Sequence, residues 1–368
     1  MKGASGLLLA TALLLPACGA INPHYDPARP HHRPDGFVNN NSHHVGGKAP
    51  WYEALWRRWQ GGFQPLYPPA GGYPQFARDW SVPVDHALLR DADEKPRITW
   101  LGHSGLLLQL ADRNILIDPQ LSDFAGPFRL LSAPRHVPPP LTPEELPPID
   151  LVLISHNHYD HLDERTIVRL VAAGQHPHFL VPLGVKHWFN ERGIAEVSEM
   201  DWWDTIDDGP LRIHFTPAQH WSKRTLFDAN ATLWGGFFVE ADGGDQAWRF
   251  LYTGDTGYSD DFRAIRQRLG PVDLLAVPVG AYQPRDFMAP QHINPDEAVQ
   301  ILLDVDARQA IGVHWGTFEL SQEPFDQPPA DVRVALDQRQ LDPQRLWLLR
   351  HGETRRLPAP PEKPSGQP

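Results

Sequence analysis

His156-Asn157-His158-Tyr159-Asp160-His161 places four potential metal ligands within six residues. Imidazole nitrogens and carboxylates are the donors left to a metal when thiolates are scarce, and this chain has one cysteine against 19 histidines. The spacing has a physical reason. Near a strand end residues i and i+2 point the same way, so His156 and His158 can grip one ion. Asp160 and His161, where the chain turns, can address a second ion close by. The single cysteine excludes intramolecular disulfides, zinc ribbons and C-x-x-C redox chemistry. Neither a G-x-S-x-G nucleophile elbow nor a G-x-x-x-x-G-K-[ST] phosphate loop occurs. A metal held by such donors can activate a bound water, a nucleophile that needs no side-chain counterpart.

Such ligands need a strand to launch them and a helix to turn the chain back. Residues 151–154 form a compact apolar strand leading into the motif. Asp163 can cap a helix in which Ile167, Leu170 and Val171 share a face, ending at Gly174. Further strands are expected at 98–101, 106–110, 115–117, 179–181, 211–215, 233–239, 249–252, 310–313 and 346–349. Phe262, Ile265 and Leu269 make a helical face stopped by Gly270-Pro271. Asn294-Pro295-Asp296-Glu297 carries a cap, a first-turn proline and an acidic third position ahead of Ala298, Ile301, Leu302 and Val305. Strands with interspersed helices predict one α/β body over residues 91–357, with sheets packed together and covered by helices.

On its H-x-H-x-D-H motif the chain resembles the metallo-β-lactamase superfamily of hydrolases, and the resemblance extends downstream. His220 stands in Pro217-Ala218-Gln219-His220-Trp221, Asp255 in Tyr252-Thr253-Gly254-Asp255-Thr256 and His314 in Ile311-Gly312-Val313-His314-Trp315-Gly316. The resemblance implies an αββα sandwich with two zinc ions, iron or manganese being alternatives. His156, His158 and His220 would hold one ion, Asp160, His161 and His314 the other, and Asp255 would bridge them. Asp118, in Ile117-Asp118-Pro119, matches the family motif whose Asp supports the ligand loop by hydrogen bonding.

Flanking motifs narrow the resemblance. Trp100-Leu101-Gly102-His103-Ser104-Gly105, Gln219-His220-Trp221-Ser222, Leu233-Trp234-Gly235-Gly236-Phe237, Gly280-Ala281-Tyr282-Gln283-Pro284-Arg285 with Gln291-His292, and His314-Trp315-Gly316-Thr317-Phe318 look like the N-acyl-phosphatidylethanolamine-hydrolysing phospholipase D branch. There the pair matching Gln291 and His292 lies beside the metals, so His292 would protonate the leaving alkoxide or steady the phosphate. A structural histidine is the competing reading for His292. His103 either borders the site or belongs to the core.

The ends of the chain carry a different message. Residues 3–16 are apolar and uncharged behind Lys2 and read as a signal peptide, residues 1–17. Leu15-Pro16-Ala17-Cys18-Gly19 resembles a bacterial lipobox, with Cys18 as the lipidated residue; a lipid-anchored envelope protein, in the outer membrane of a two-membrane bacterium, is expected. Residues 18–90, rich in Pro, Gly, His and Asn, read as a tether and an extension around the body. Within them Trp51, Leu55, Trp56 and Trp59 share a helical face, read as packing rather than membrane contact. The proline-rich tail, residues 358–368, is expected to be disordered.

A net charge of -12 disfavours nucleic-acid partners and, with the export signal, a nuclease. The leading expectation is a dinuclear phosphodiesterase that acts on a phospholipid and releases N-acylethanolamine from N-acyl-phosphatidylethanolamine. Lactone or β-lactam hydrolysis is the alternative with the same metals. A catalytically idle envelope lipoprotein would have lost ligands, and all the matching positions are filled.

Overall fold

The computed structural model describes residues 22–41, 68–91, 96–241 and 247–357. The leader with Cys18, the 51–59 segment and the tail 358–368 lie outside the described residues. The first half of the body supplies β1 (Arg97–Gly102), β2 (Gly105–Leu110), β3 (Arg113–Ile117), β4 (Leu151–Leu153), β5 (His178–Pro182) and β6 (Val197–Met200). The second supplies β7 (Thr205–Asp208), β8 (Leu211–Thr216), β9 (Gly236–Ala241), β10 (Trp248–Tyr252), β11 (Leu274–Pro278), β12 (Gln309–Val313) and β13 (Leu346–Trp347). A last strand, β14 (Thr354–Arg356), returns to the first sheet. The sheet orders are β6-β5-β4-β3-β2-β1-β14 and β7-β8-β9-β10-β11-β12-β13. In each, one part is an antiparallel meander and the other is parallel.

Side-chain alternation on the strands sorts the core into two layers. Ile98, Trp100, Leu106, Leu108, Ile115 and Leu153 pack with Ile213, Phe237 and Phe250 of the second sheet. Their neighbours Leu101, Leu107, Leu116 and Val152 pack on the other face, against Ile167 and Leu170. These last belong to the helix Glu164–Ala172, which Asp163 caps as its sequence predicts. On the far side of the second sheet, helices Asp261–Leu269, Pro295–Asp304 and Pro328–Gln338 contribute Phe262, Ile265, Ile301, Leu302, Val332 and Leu336 to the core. This is the αββα sandwich. The capping box at Asn294 and Glu297 is present, with both reciprocal hydrogen bonds.

Several element expectations need correction. Residues 233–235 precede β9 rather than forming its start, and β13 stops at Trp347. The strand β11 was not anticipated, because its run Leu274-Leu275-Ala276-Val277-Pro278 is apolar on both faces and shows no alternation. The helix Pro328–Gln338 was not anticipated either; its two leading prolines occupy a first turn that needs no N–H donors.

The described N-terminal residues lie against the body. His31 Nε2 and His32 Nε2 reach the two oxygens of Asp201 at 2.6 and 3.0 Å, and Phe37 N donates to Asn230 O at 2.9 Å. Asn40 Nδ2 donates to Asp261 Oδ1 at 2.7 Å.

Candidate metal centre

Every sequence-singled ligand leaves the end of a strand. His156 follows β4, His220 follows β8, Asp255 follows β10 and His314 follows β12. The carboxyl ends of these strands converge on one edge of the sandwich, where loops can meet without breaking a ladder. Close backbone approach is required there. Gly254 has φ +64°, and a Cβ on it would stand 2.5 Å from Gly235 O. Asp118, His103 and His314 also adopt positive φ, 38°, 50° and 63°, strain that the surrounding packing must hold in place.

Two donor groups result. In the first, His156 Nε2 lies 2.8 Å from His158 Nδ1, which lies 3.3 Å from His220 Nε2. In the second, His161 Nε2 and His314 Nε2 each stand 3.1 Å from Asp255 Oδ2, and 3.6 and 3.5 Å from Asp160 Oδ2. The groups meet at Asp255, whose Oδ2 is also 3.9 Å from His220 Nε2. Donors around one tetrahedral ion with metal–nitrogen bonds of about 2.0–2.1 Å are separated by about 3.3 Å, so both groups have the dimensions of a cation site. Among the described residues, Asp255 Oδ1 and His314 Nε2 are buried without a hydrogen-bond partner, which an all-protein network would not leave. The donor set therefore fits a pair of divalent metal ions.

The electrostatics agree. Burial pushes His156 well below the usual imidazole value, His158 to about 4 and His220 to about 3, leaving neutral rings with lone pairs to offer. Burial works against ionised Asp160 and Asp255, yet His161 and its neighbours outweigh it and hold both well below the carboxylate range. Burial also opposes charge on His161 and His314. The Asp255 and Asp160 carboxylates overcome it, lifting His161 well above its ordinary value and His314 to about 9. A divalent cation held by these rings would compensate the carboxylates in place of the protons.

Asp118 acts behind the ligands. Its carboxylate accepts from Ser155 N at 2.8 Å, from Ser155 Oγ, from His161 Nδ1 at 2.7 Å and from Tyr252 Oη at 2.6 Å. His161 Nε2 is thereby aimed at Asp255. His220 is aimed by its Nδ1–H, which donates to the main-chain carbonyl of Gln291 at 2.9 Å. The contact from Gln291 is thus made by its backbone. His292 lies beside the centre, with Nδ1 3.9 Å from Asp255 Oδ2 and its ring 5.2 Å from that of His220. Burial lowers it to about 3.

Of three further positioning contacts, the sequence left His103 open between the site and the core and singled out neither of the other two. His103 Nε2 lies 3.1 Å from Asp160 Oδ2, and burial holds its ring neutral, so it donates to that carboxylate. Asn39 binds the backbone of His220 from 181 positions away, a distance at which no local pattern signals it. Tyr252 lies in the quoted Asp255 motif, where its hydroxyl was the available clue.

A family model described as "Beta-lactamase superfamily domain" matches residues 113–315. The chain is 37% identical over 275 residues to a Caenorhabditis elegans protein named N-acyl-phosphatidylethanolamine-hydrolyzing phospholipase D 1, covering 71% of this chain and 76% of that one. It is 38% identical over 247 residues to a Saccharomyces cerevisiae protein named N-acyl-phosphatidylethanolamine-hydrolyzing phospholipase D, mitochondrial, covering 64% of this chain and 51%, about half, of the yeast protein. A solved "possible metal-dependent hydrolase" from Veillonella parvula superposes with a TM-score of 0.56 at 18% identity, covering 72% of this chain and 100% of that one, a likeness of fold.

Proposed function

The chain belongs to the metallo-β-lactamase superfamily of metal-dependent hydrolases, and on that premise we propose that it is a dinuclear phosphodiesterase of phospholipase D type, releasing N-acylethanolamine and phosphatidic acid from N-acyl-phosphatidylethanolamine. The observation that carries the reading is the pair of donor groups sharing Asp255 Oδ2, a size and composition suited to two ions, zinc being the first choice for a set of imidazoles and carboxylates. The names of the worm and yeast relatives support the substrate.

A metal pair bound here supplies an activated water and positive charge for the phosphoryl oxygens. The protein's own residues do the rest. Asp255 ties the two halves of the sandwich to one point, Asp118 and His103 fix His161 and Asp160, and the Gln291 carbonyl fixes the His220 tautomer. His292, kept neutral by burial, offers an N–H to a phosphate oxygen, which favours steadying the phosphate over protonating the leaving alkoxide. Trp221, its ring 4.5 Å from that of His158, sets an apolar surface beside the first donor group.

The lipobox-like sequence at 15–19 supports an envelope anchor at Cys18 as part of the same reading; intact-mass analysis from the native host should find the mature chain beginning with acylated Cys18, and an unmodified Cys18 in an uncleaved leader contradicts it. For the catalytic claim, metal-stripped protein is titrated with zinc while hydrolysis in mixed micelles is followed. Activity rising to a plateau at two equivalents is expected. Full activity in the stripped protein, or a plateau at one equivalent, contradicts the dinuclear reading.

A further inference from the structure

The five most exposed large apolar side chains among the described residues are Leu130 (95%), Phe227 (94%), Leu131 (86%), Leu226 (81%) and Phe128 (65%). All five come from two loops. One is the excursion between the paired two-residue strands Phe124–Ala125 and Ala133–Pro134; the other follows the ligand His220. Neither is an unsupported excursion. Ser132 Oγ donates to Phe128 O at 2.7 Å across the first, and Asp228 Oδ1 accepts from Thr225 N at 2.7 Å and Arg224 N at 3.1 Å in the second. Side chains held outward at this exposure lose no water on folding, so they add nothing to the stability of the isolated chain.

The bases of the two loops face one another across an open cavity of about 730 Å³ whose lining includes Gly126, Pro127, Tyr159, Arg165, Val168 and Arg224. Tyr159, which stands between His158 and Asp160 in the chain, is the one residue of the H-x-H-x-D-H motif that lines this cavity. Arg224 is clamped there, stacked 3.9 Å over the Tyr159 ring and donating to the Asn157 and Leu162 carbonyls at 2.9 and 2.8 Å. Arg169 at the cavity wall pairs with Glu144 at 2.7 Å, but other cationic side chains of the patch have no ion pair among the described residues. Arg129 and Lys223 have no carboxylate partner among the described residues, and Arg165 lies over the Phe124 ring at 4.2 Å. Of the nearby acids, Asp163 is taken up by its helix cap, Glu164 pairs with Arg192 at 2.9 Å, Asp228 is taken up by its own turn, and Asp123, at the cavity wall, is exposed. In a chain of net charge -12, apolar tips interleaved with free cations fit a surface that is apolar below and anionic above.

We propose that these two loops dock the protein on a bilayer containing anionic phospholipid. Phe128, Leu130, Leu131, Leu226 and Phe227 enter the boundary between headgroups and acyl chains. Arg129, Arg165 and Lys223 meet lipid phosphates. The choice of a lipid partner rests on the phospholipid reading above, whereas the docking itself is measurable without any turnover.

Cys18 is the only thiol of the chain. Phe227→Cys in a Cys18→Ala background therefore carries a single environment-sensitive fluorophore, and Val334→Cys, exposed on the helix Pro328–Gln338, serves as the control position. With vesicles of phosphatidylcholine and phosphatidylglycerol, the label at 227 should shift to the blue and be quenched by a lipid-borne quencher, while the label at 334 should not. Arg129→Gln with Lys223→Gln should weaken that binding about tenfold and remove its preference over pure phosphatidylcholine. In unlabelled metal-loaded protein, joint serine substitution of the five apolar residues should cut hydrolysis of vesicle-borne substrate at least tenfold and leave a small soluble phosphodiester unaffected. An unquenched label at 227 overturns the proposal, as does vesicle binding unchanged by the five serines. So does a patch that the serines show to be a dimer contact, by converting a dimer to a monomer without altering vesicle binding. Docking as expected together with intact N-acyl-phosphatidylethanolamine would instead overturn the substrate reading and leave the docking surface standing.

Discussion

The Asn39 side chain spans the peptide groups of His220, its Oδ1 accepting from His220 N and its Nδ2 donating to His220 O, each at 3.0 Å. Trp234 Nε1 donates to the same Oδ1 at 3.0 Å. A residue far ahead of the matched family region thus fixes the backbone of a candidate ligand. Asn39→Ala leaves those buried groups unpaired, which should cost about 2 kcal/mol of stability and lower metal affinity about 10- to 100-fold. Thermal unfolding with and without metal, alongside metal titration, separates the two effects; unchanged affinity would show that His220 needs no such support.

Asp118 is the second lever. Its carboxylate serves His161 directly and His156 only through Ser155, whose Oγ lies 2.9 Å from His156 Nδ1. Asp118→Asn should therefore weaken the ion held by Asp160, His161 and His314 more than the ion held by His156, His158 and His220. Stepwise titration of stripped protein should show one affinity reduced by about 10- to 100-fold and the other nearly intact. Equal loss at both steps would contradict the assignment.

His103 decides between the two readings its sequence context allowed. Because it donates to Asp160, His103→Phe, which conserves an aromatic ring, should also reduce affinity for the same ion, whereas a purely packing role predicts wild-type metal content in the folded variant. Elemental analysis after dialysis gives the answer.

Acid should destabilise the fold through a histidine outside the donor groups. His351 Nδ1 donates to Trp80 O at 2.9 Å and its Nε2 accepts from Thr317 Oγ1 at 2.9 Å, and burial lowers it to about 3. The unfolded chain protonates this ring near pH 6.5 and the folded chain does not, so stability falls as pH drops from about 6.5 toward 3. By pH 4.5 the loss is about 3 kcal/mol. Denaturant unfolding of metal-free parent and His351→Gln at pH 7.5 and 4.5 should show a shallower pH dependence in the variant. Identical slopes would contradict the account.

Much of the centre was legible because its residues are local or stand in recognisable frames. The i, i+2 pair His156 and His158 follows an apolar strand, and Asp163 announces the helix that turns the chain back. The helix Pro295–Asp304 was readable from Asn294, Pro295 and Glu297 alone. What stayed hidden depends on chain crossings. β11 lies between β10 and β12 with both faces covered, so its run lacks the alternation that marks a half-exposed strand. Asn39 acts across 181 positions, and Gln291 acts through its main chain, which no side-chain pattern encodes. The exposed tips Phe128, Leu130, Leu131, Leu226 and Phe227 sit in segments with no regular period, and their exposure becomes visible only once the core is known.

The central claim is that water is added to phosphorus at the Asp255 centre with N-acylethanolamine as the leaving group. Metal-loaded protein is incubated with N-acyl-phosphatidylethanolamine in mixed micelles made with 18O-labelled water, and the products are resolved by mass spectrometry. The account predicts phosphatidic acid carrying one 18O, unlabelled N-acylethanolamine, and no products with Asp255→Ala. Diacylglycerol with phospho-N-acylethanolamine, label in the N-acylethanolamine, or untouched lipid from a fully metallated protein that opens lactones or β-lactams would contradict it.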